Sequence, residues 1–367
     1  MISKRYFPPE LLYDFLKIEN DQINSEILGH SVNGLPIYKL RIGNGKQKIF
    51  MWSQMHGNET TTTKAILDLI PWLLDPLRND TLNLLTFHII PQLNPDGAKA
   101  YTRLNANQFD LNRDSIKLSQ PESKLLRVEY DRIKPDYALN LHGQRTIYGA
   151  GPNGGPATLS FLSPSANPER SITPARRIAM SAIASIYNSL RDELPLGIGR
   201  YDDTFNPNCV GDTFSKAGTP TILFEAGHYP EDYQREVSRN FVFKALKAFI
   251  NHLEDSNKTY DTADYFKIPE NINNYVDLIV SNIDISFNDE ILKNQQLAIQ
   301  FEESLKDGEV VFLPSLNDFS INLSQKAHRY IKLPDNYFKK PIPFKQDKIL
   351  KNRKFDKLFS VKPLFHK

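Results

Sequence analysis

Four short runs of consecutive apolar residues constrain this chain more than any other feature. They lie at 48–55 (KIFMWSQM), 82–90 (LNLLTFHII), 136–142 and 221–227 (TILFEAG). Each is apolar at neighbouring rather than alternate positions, the pattern of a strand covered on both faces. Segments with helical apolar spacing follow them at 121–133, 173–191 and 231–253. Threonines 60–63 open a further helical pattern, AILDLIPWLL, which Pro71 is expected to interrupt. Alternation of this kind predicts an α/β layer sandwich. Ligands of such sheets bind beyond the carboxyl ends of the strands, where His56, His142 and Glu225 all stand.

The rest of the chain supplies lighter signals. Residues 9–19 (PELLYDFLKIE) read as a short amphipathic helix opened by prolines, and strands are expected near 26–30 and 36–42. TLSFLS at 158–163 is strand-like. After about residue 258, alternating runs at 276–287, 297–301 and 309–313 predict a small β-rich domain, so the expected division is 1–257 and 258–367. Residues 332–367 hold ten Lys and one Arg against three Asp, which reads as a solvated basic tail.

With 40% hydrophobic and 24% charged residues the chain can bury a full core. A net charge of +2 selects neither nucleic acid nor an acidic membrane as a partner. Cys209 is the single cysteine, which excludes an internal disulfide and fits a reducing compartment, as it equally fits a disulfide-free exported protein. No basic segment followed by a long apolar stretch opens the sequence, and no run reaches the ~18 apolar residues of a membrane helix, so cytoplasmic residence is expected.

His56-Gly57-Asn58-Glu59 places an imidazole and a carboxylate three residues apart at a strand-to-helix junction. Both groups bind zinc at about 2.0–2.2 Å. The spacing alone fits a surface histidine beside a helix-opening glutamate equally well. His142, followed by a permissive Gly143, is the candidate third ligand of a site that must leave one position open for water. Asn94-Pro95-Asp96-Gly97 has the composition of a turn. Asp110-Leu111-Asn112-Arg113 collects donors suited to a carboxylate, and its acid can hold the far N–H of a ligating histidine. Glu225 lies in an apolar run, where desolvation raises a carboxyl pKa toward the range useful for proton transfer.

Taken in order, His56-x-x-Glu59, Asn94-Pro-Asp-Gly, Arg103, Asp110-x-Asn112-Arg113, His142 and Glu225 resemble the zinc metallocarboxypeptidase family, the carboxypeptidase A-like group, over roughly residues 30–250. The resemblance implies a three-layer α/β/α sandwich with a mixed, mostly parallel sheet, and residues 258–367 have no counterpart in it. It implies one zinc ion held by His56, Glu59 and His142, with Glu225 as general base. Arg103 would polarise the scissile carbonyl, and Asn112 and Arg113 would grip the free carboxylate of a peptide substrate. Asp110 would support His56. Tyr201 would match a mobile tyrosine of the family. The loop 201–214 would shape the side-chain pocket, where Asp202, Asp203 and Asp212 favour a basic terminal residue unless they are simply solvated. Arg145 and Tyr148 follow His142 closely enough to reach substrate, and His228 would support the site from behind.

Two other functions share these residues. Aspartoacylase and succinylglutamate desuccinylase are similar in His-Gly-Asn-Glu and Asp-x-Asn-Arg, and they would make the substrate an N-acyl amino acid. A binding module that keeps the pocket without turnover is the other. His-Glu-x-x-His, Gly-x-Ser-x-Gly and a phosphate-cradling glycine loop are all absent.

Overall fold

The computed structural model describes residues 4–17, 21–255, 259–288, 290–335, 337–338 and 340–344. The end of the expected first helix and the part of the basic tail from residue 345 onward lie outside the described residues.

Nine strands form among the described residues up to Ala226: β1 (Ile23–His30), β2 (Pro36–Ile42), β3 (Gln47–Ser53), β4 (Leu85–Ile90), β5 (Tyr137–Gly143), β6 (Tyr148–Ala150), β7 (Leu159–Leu162), β8 (Ile198–Arg200) and β9 (Thr221–Ala226). Eight of them make one sheet in the order β1-β2-β4-β3-β5-β9-β7-β8. The central strands β4, β3, β5 and β9 run parallel. The pairs β1–β2, β2–β4 and β7–β9 are antiparallel, so the sheet is mixed as expected.

Helices cover both faces: α1 (Pro9–Leu16), α2 (Thr61–Leu73), α3 (Asn79–Leu84), α4 (Pro95–Ala100), α5 (Pro121–Ile133), α6 (Pro174–Leu190), α7 (Val210–Lys216), α8 (Glu236–Glu254) and α9 (Thr262–Phe266). The strand pleat explains the consecutive apolar residues. On β3, Ile49 and Met51 enter the core under α2, α6 and α8, beside Ile66, Ile183 and Phe249. Phe50 and Trp52 point the other way, to Leu126, Tyr130 and Phe214 of α5 and α7. Tyr130 and Phe214 stack at 3.7 Å between centroids.

Three local expectations need correction. Pro71 does not interrupt α2, which runs to Leu73. It sits in the last turn on the exposed face, where only one carbonyl loses its donor. The run 82–90 is not all strand: its first three residues finish α3, whose Leu82 carbonyl accepts from the Asn44 N–H. An apolar run does not distinguish a buried helix end from a buried strand. The short runs at 297–301 and 309–313 belong to much longer strands, whose solvent-facing polar residues hide their extent.

The C-terminal strands are β10 (Asn271–Asn273), β11 (Tyr275–Phe287), β12 (Glu290–Lys306), β13 (Glu309–Ser320), β14 (Lys326–Lys332) and β15 (Ile342–Phe344). A separate sheet orders them β13-β12-β11-β14, with β15 continuing beside β11. Tyr265 and Ile268 bury in the core of the large sheet, and β10 pairs with β6. The expected division at 257/258 therefore falls ahead of a segment packed on the first unit, and the second sheet begins at Tyr275. No helix among the described residues is long and apolar enough to cross a membrane.

Candidate active site

The loop after β3 is held by close backbone packing. Gln54 takes a left-handed conformation (φ 50°), and its side-chain amide donates to the Gly57 carbonyl at 2.7 Å. Gly57 lies against Gly97 so closely that a Cβ there would stand 1.9 Å from the Gly97 carbonyl carbon. The Asn94-Pro-Asp-Gly segment is thus more than a turn: it starts α4. Asn94 Oδ1 accepts from the Gly97 N–H at 2.9 Å, capping the helix, while Nδ2 donates to the Met55 carbonyl. This clamp fixes the segment that carries His56 and Glu59.

Three candidate ligands meet here. His56 Nδ1 is 2.8 Å from one Glu59 oxygen, His142 Nδ1 is 2.9 Å from the other, and the two Nδ1 atoms are 3.2 Å apart. Ligands of a tetrahedral zinc at ~2.0–2.1 Å stand roughly 3.3 Å from one another. Two imidazole nitrogens and a carboxylate converging at these separations fit a shared cation. Asp110 Oδ1 lies 3.0 Å from His56 Nε2, and Arg103 bonds Asp110 Oδ2 at 3.0 Å and Glu59 at 3.4 Å.

The electrostatics follow from burial and crowding. Burial works against a charged His56, but Glu59 and Asp110 outweigh it and raise its pKa. Burial lowers that of His142, with Glu59 offsetting part of the effect. Burial disfavours ionised Glu59, yet the two imidazoles hold it below the usual carboxylate range. Glu225 is paired in register with His142 on the neighbouring parallel strand, and its Oε2 is buried with no partner among the described residues. Burial, reinforced by Glu59, pushes its carboxyl well above the usual range.

A cavity of about 940 Å³ opens over these groups. Arg103, Asn112, Arg113, Tyr201 and Asp212 line it, as do Arg145 and Tyr148. The Val210 N–H donates to Asn112 Oδ1 at 3.1 Å, which leaves the NH₂ end of that amide without a partner among the described residues. Arg113 Nη1 donates to Cys209 Sγ at 3.0 Å, while burial pushes the Cys209 thiol up to about 11. Tyr201 packs edge-on to Tyr148, and burial together with the nearby Glu225 raises its phenol pKa. Asp212 is buried, accepts from the Asn206 N–H, and is pushed up to about 6 by burial.

Two expected residues are placed elsewhere. Asp203 is not a cavity acid, because Arg176 and Arg170 take its carboxylate. His228 does not support the ligands; its ring packs on Tyr233 and His328, and neither nitrogen has a hydrogen-bond partner among the described residues. Other lining residues left no mark in the sequence. Asn140 is fully buried with both side-chain polar atoms unpartnered among the described residues. Its place two residues before His142, on the same strand face, is a signal the alternation rule offered. Arg5 and residues 300–303 and 312 also line the cavity, and only the fold brings them there.

Comparison with known proteins agrees with this geometry. Residues 12–153 match the zinc carboxypeptidase family, a span that holds His56, Glu59, Arg103, Asp110, Asn112, Arg113 and His142 but ends before Glu225. Carboxypeptidase SOL1 of Arabidopsis thaliana is 32% identical over 137 residues, covering 32% of this chain and 28% of that protein. Carboxypeptidase M of Mus musculus is 28% identical over 198 residues, covering 45% of each. The chain thus matches less than half the length of either relative. Among solved structures, a metallo-carboxypeptidase from Burkholderia cenocepacia superposes with a TM-score of 0.58 at 18% identity, over 69% of this chain and 70% of that one. Residues 12–153 of this chain are thus similar to the zinc carboxypeptidase family, and the chain shares the fold of solved metallo-carboxypeptidases.

Proposed function

We propose that this chain is a zinc-dependent carboxypeptidase that hydrolyses the last peptide bond of its substrate. The observation that carries the reading is the meeting of His56, Glu59 and His142 beside an unpartnered Glu225 carboxylate in a single cavity. His56 Nδ1, His142 Nδ1 and the Glu59 carboxylate would hold one zinc ion. When bound, zinc supplies a water of lowered pKa and polarises the scissile carbonyl. Glu225 accepts the proton of the attacking water and delivers it to the leaving amine. Arg103 stabilises the developing oxyanion, while Asp110 keeps both Arg103 and His56 in place.

Asn112 and Arg113 offer free donors on one loop, suited to the terminal carboxylate. Tyr201 closes on the substrate from the opposite loop. Asp212, with Asn140 beside it in the cavity, favours a terminal residue whose side chain ends in a cation. The test is release of the terminal residue from a blocked dipeptide ending in lysine, compared with hydrolysis of N-acetylaspartate and N-succinylglutamate. Release from the dipeptide alone is expected. Turnover of the acyl amino acids alone would make the chain an N-acyl amidohydrolase, and full zinc with no turnover would make it a binding module.

A further inference from the structure

The N-terminal segment and the C-terminal sheet meet at the cavity in an arrangement the proposed chemistry does not use. Arg5 is more than nine-tenths buried, yet it lines the cavity. Its Nη2 donates to both oxygens of Glu303 on β12, at 2.9 and 3.1 Å, and its Nε donates to the Tyr101 hydroxyl at 3.1 Å. Tyr101 also donates to Glu303, closing a three-residue ring of bonds. The Thr60 hydroxyl donates to the Arg5 carbonyl at 2.6 Å, tying this segment to the residue after Glu59. Nη1 alone has no hydrogen-bond partner among the described residues.

A guanidinium fixed by a fork to a carboxylate and a phenol loses little further freedom on binding a ligand. Its remaining edge is a preorganised donor for an oxygen. Gln300, Phe301 and Phe312 of the second sheet line the cavity beside it. None of these residues bonds to the loops 110–113 or 202–212, which on the peptidase reading take the terminal residue and its carboxylate. A chain entering the cavity from the Arg5 side therefore carries the residues before the scissile bond.

We infer that Arg5 is a substrate-binding residue of this upstream side: Nη1 donates to a peptide oxygen three or four residues before the cleaved bond. The C-terminal sheet then has a role in the site, since Glu303 holds the guanidinium in its orientation. The assignment of sides rests on the peptidase reading. Donation to the oxygen does not.

The experiment is calorimetric binding of N-acetylated alanyl peptides of two, three and four residues, each ending in lysine, to the full zinc-loaded chain carrying Glu225→Gln. In the Arg5 background, one lengthening step tightens binding by about tenfold, as for a bond from a charged donor. Arg5→Lys, which keeps a charge opposite Glu303 but loses the fork, removes that step and leaves the shortest peptide within twofold. Glu303→Gln gives the same length-selective loss and serves if Arg5→Lys does not fold. An unchanged length dependence in either variant, an equal loss for all three peptides, or no step before substitution would each overturn the inference. Failure of the unsubstituted chain to release lysine from any peptide would end the peptidase reading, while the binding series would still decide the role of Arg5.

Discussion

His56, in the loop after β3, and His142, on β5, lie 86 positions apart, yet their Nδ1 atoms face each other at 3.2 Å with Glu59 touching both. Two lone pairs aimed at one point repel unless a cation or proton lies between them. The first prediction is therefore one zinc per chain in the parent, and loss of that metal in His56→Ala and His142→Ala, measured by elemental analysis after gel filtration. Asp110→Asn should retain the site but weaken its zinc affinity by about 10- to 100-fold, because the bond from His56 Nε2 loses its charged acceptor.

Glu225 stands in register with His142 but shares none of the ligand contacts. Glu225→Gln should leave the metal content unchanged and lower kcat by about 10²- to 10⁴-fold. Metal loss in that variant would make Glu225 a ligand or a structural group instead.

Asp212 titrates at about 6 because it is buried, so its charge develops between pH 5 and 7. The ratio of kcat/KM for a lysine-ending over a leucine-ending peptide should rise across that interval. In Asp212→Asn the ratio should be low and flat. A ratio that still rises in the variant would place the selecting charge on another residue.

His228 is buried near His328, Arg235 and Arg5, and burial first, then these charges, drive its pKa well below the ordinary histidine value. A base whose folded pKa is depressed contributes stability above its unfolded pKa of about 6.5. That contribution is lost as pH falls toward the folded value, because the unfolded chain takes up the proton first. Urea midpoints of the parent should therefore fall between pH 7.5 and 5. His228→Phe, similar in volume and free of buried unpaired nitrogens, should raise the midpoint more at pH 5 than at pH 7.5. An equal shift at both values would show that His228 does not carry the dependence.

Much of this molecule could be read from local chemistry. Runs such as KIFMWSQM must bury both faces, and that alone calls for a sheet between layers of helices, as Phe50 and Met51 pointing to opposite cores illustrate. Ligand types at the strand ends then follow from residue identity, because imidazole and carboxylate at a sheet's carboxyl edge have few other uses in combination. What the sequence could not supply were relations between distant segments. The backbone contact of Gly57 with Gly97 made Asn94-Pro-Asp-Gly a clamp rather than a plain turn, and nothing local encodes such an approach. The pairing of Asp203 with Arg176 removed it from the cavity, since the nearest opposite charge wins and its position is a tertiary fact. Arg5 and Glu303 lie 298 positions apart, and no periodicity or motif joins them. Local rules report which side chains must be buried or can bind an ion; which of them share a cavity depends on how whole layers pack, and that only the folded chain decides.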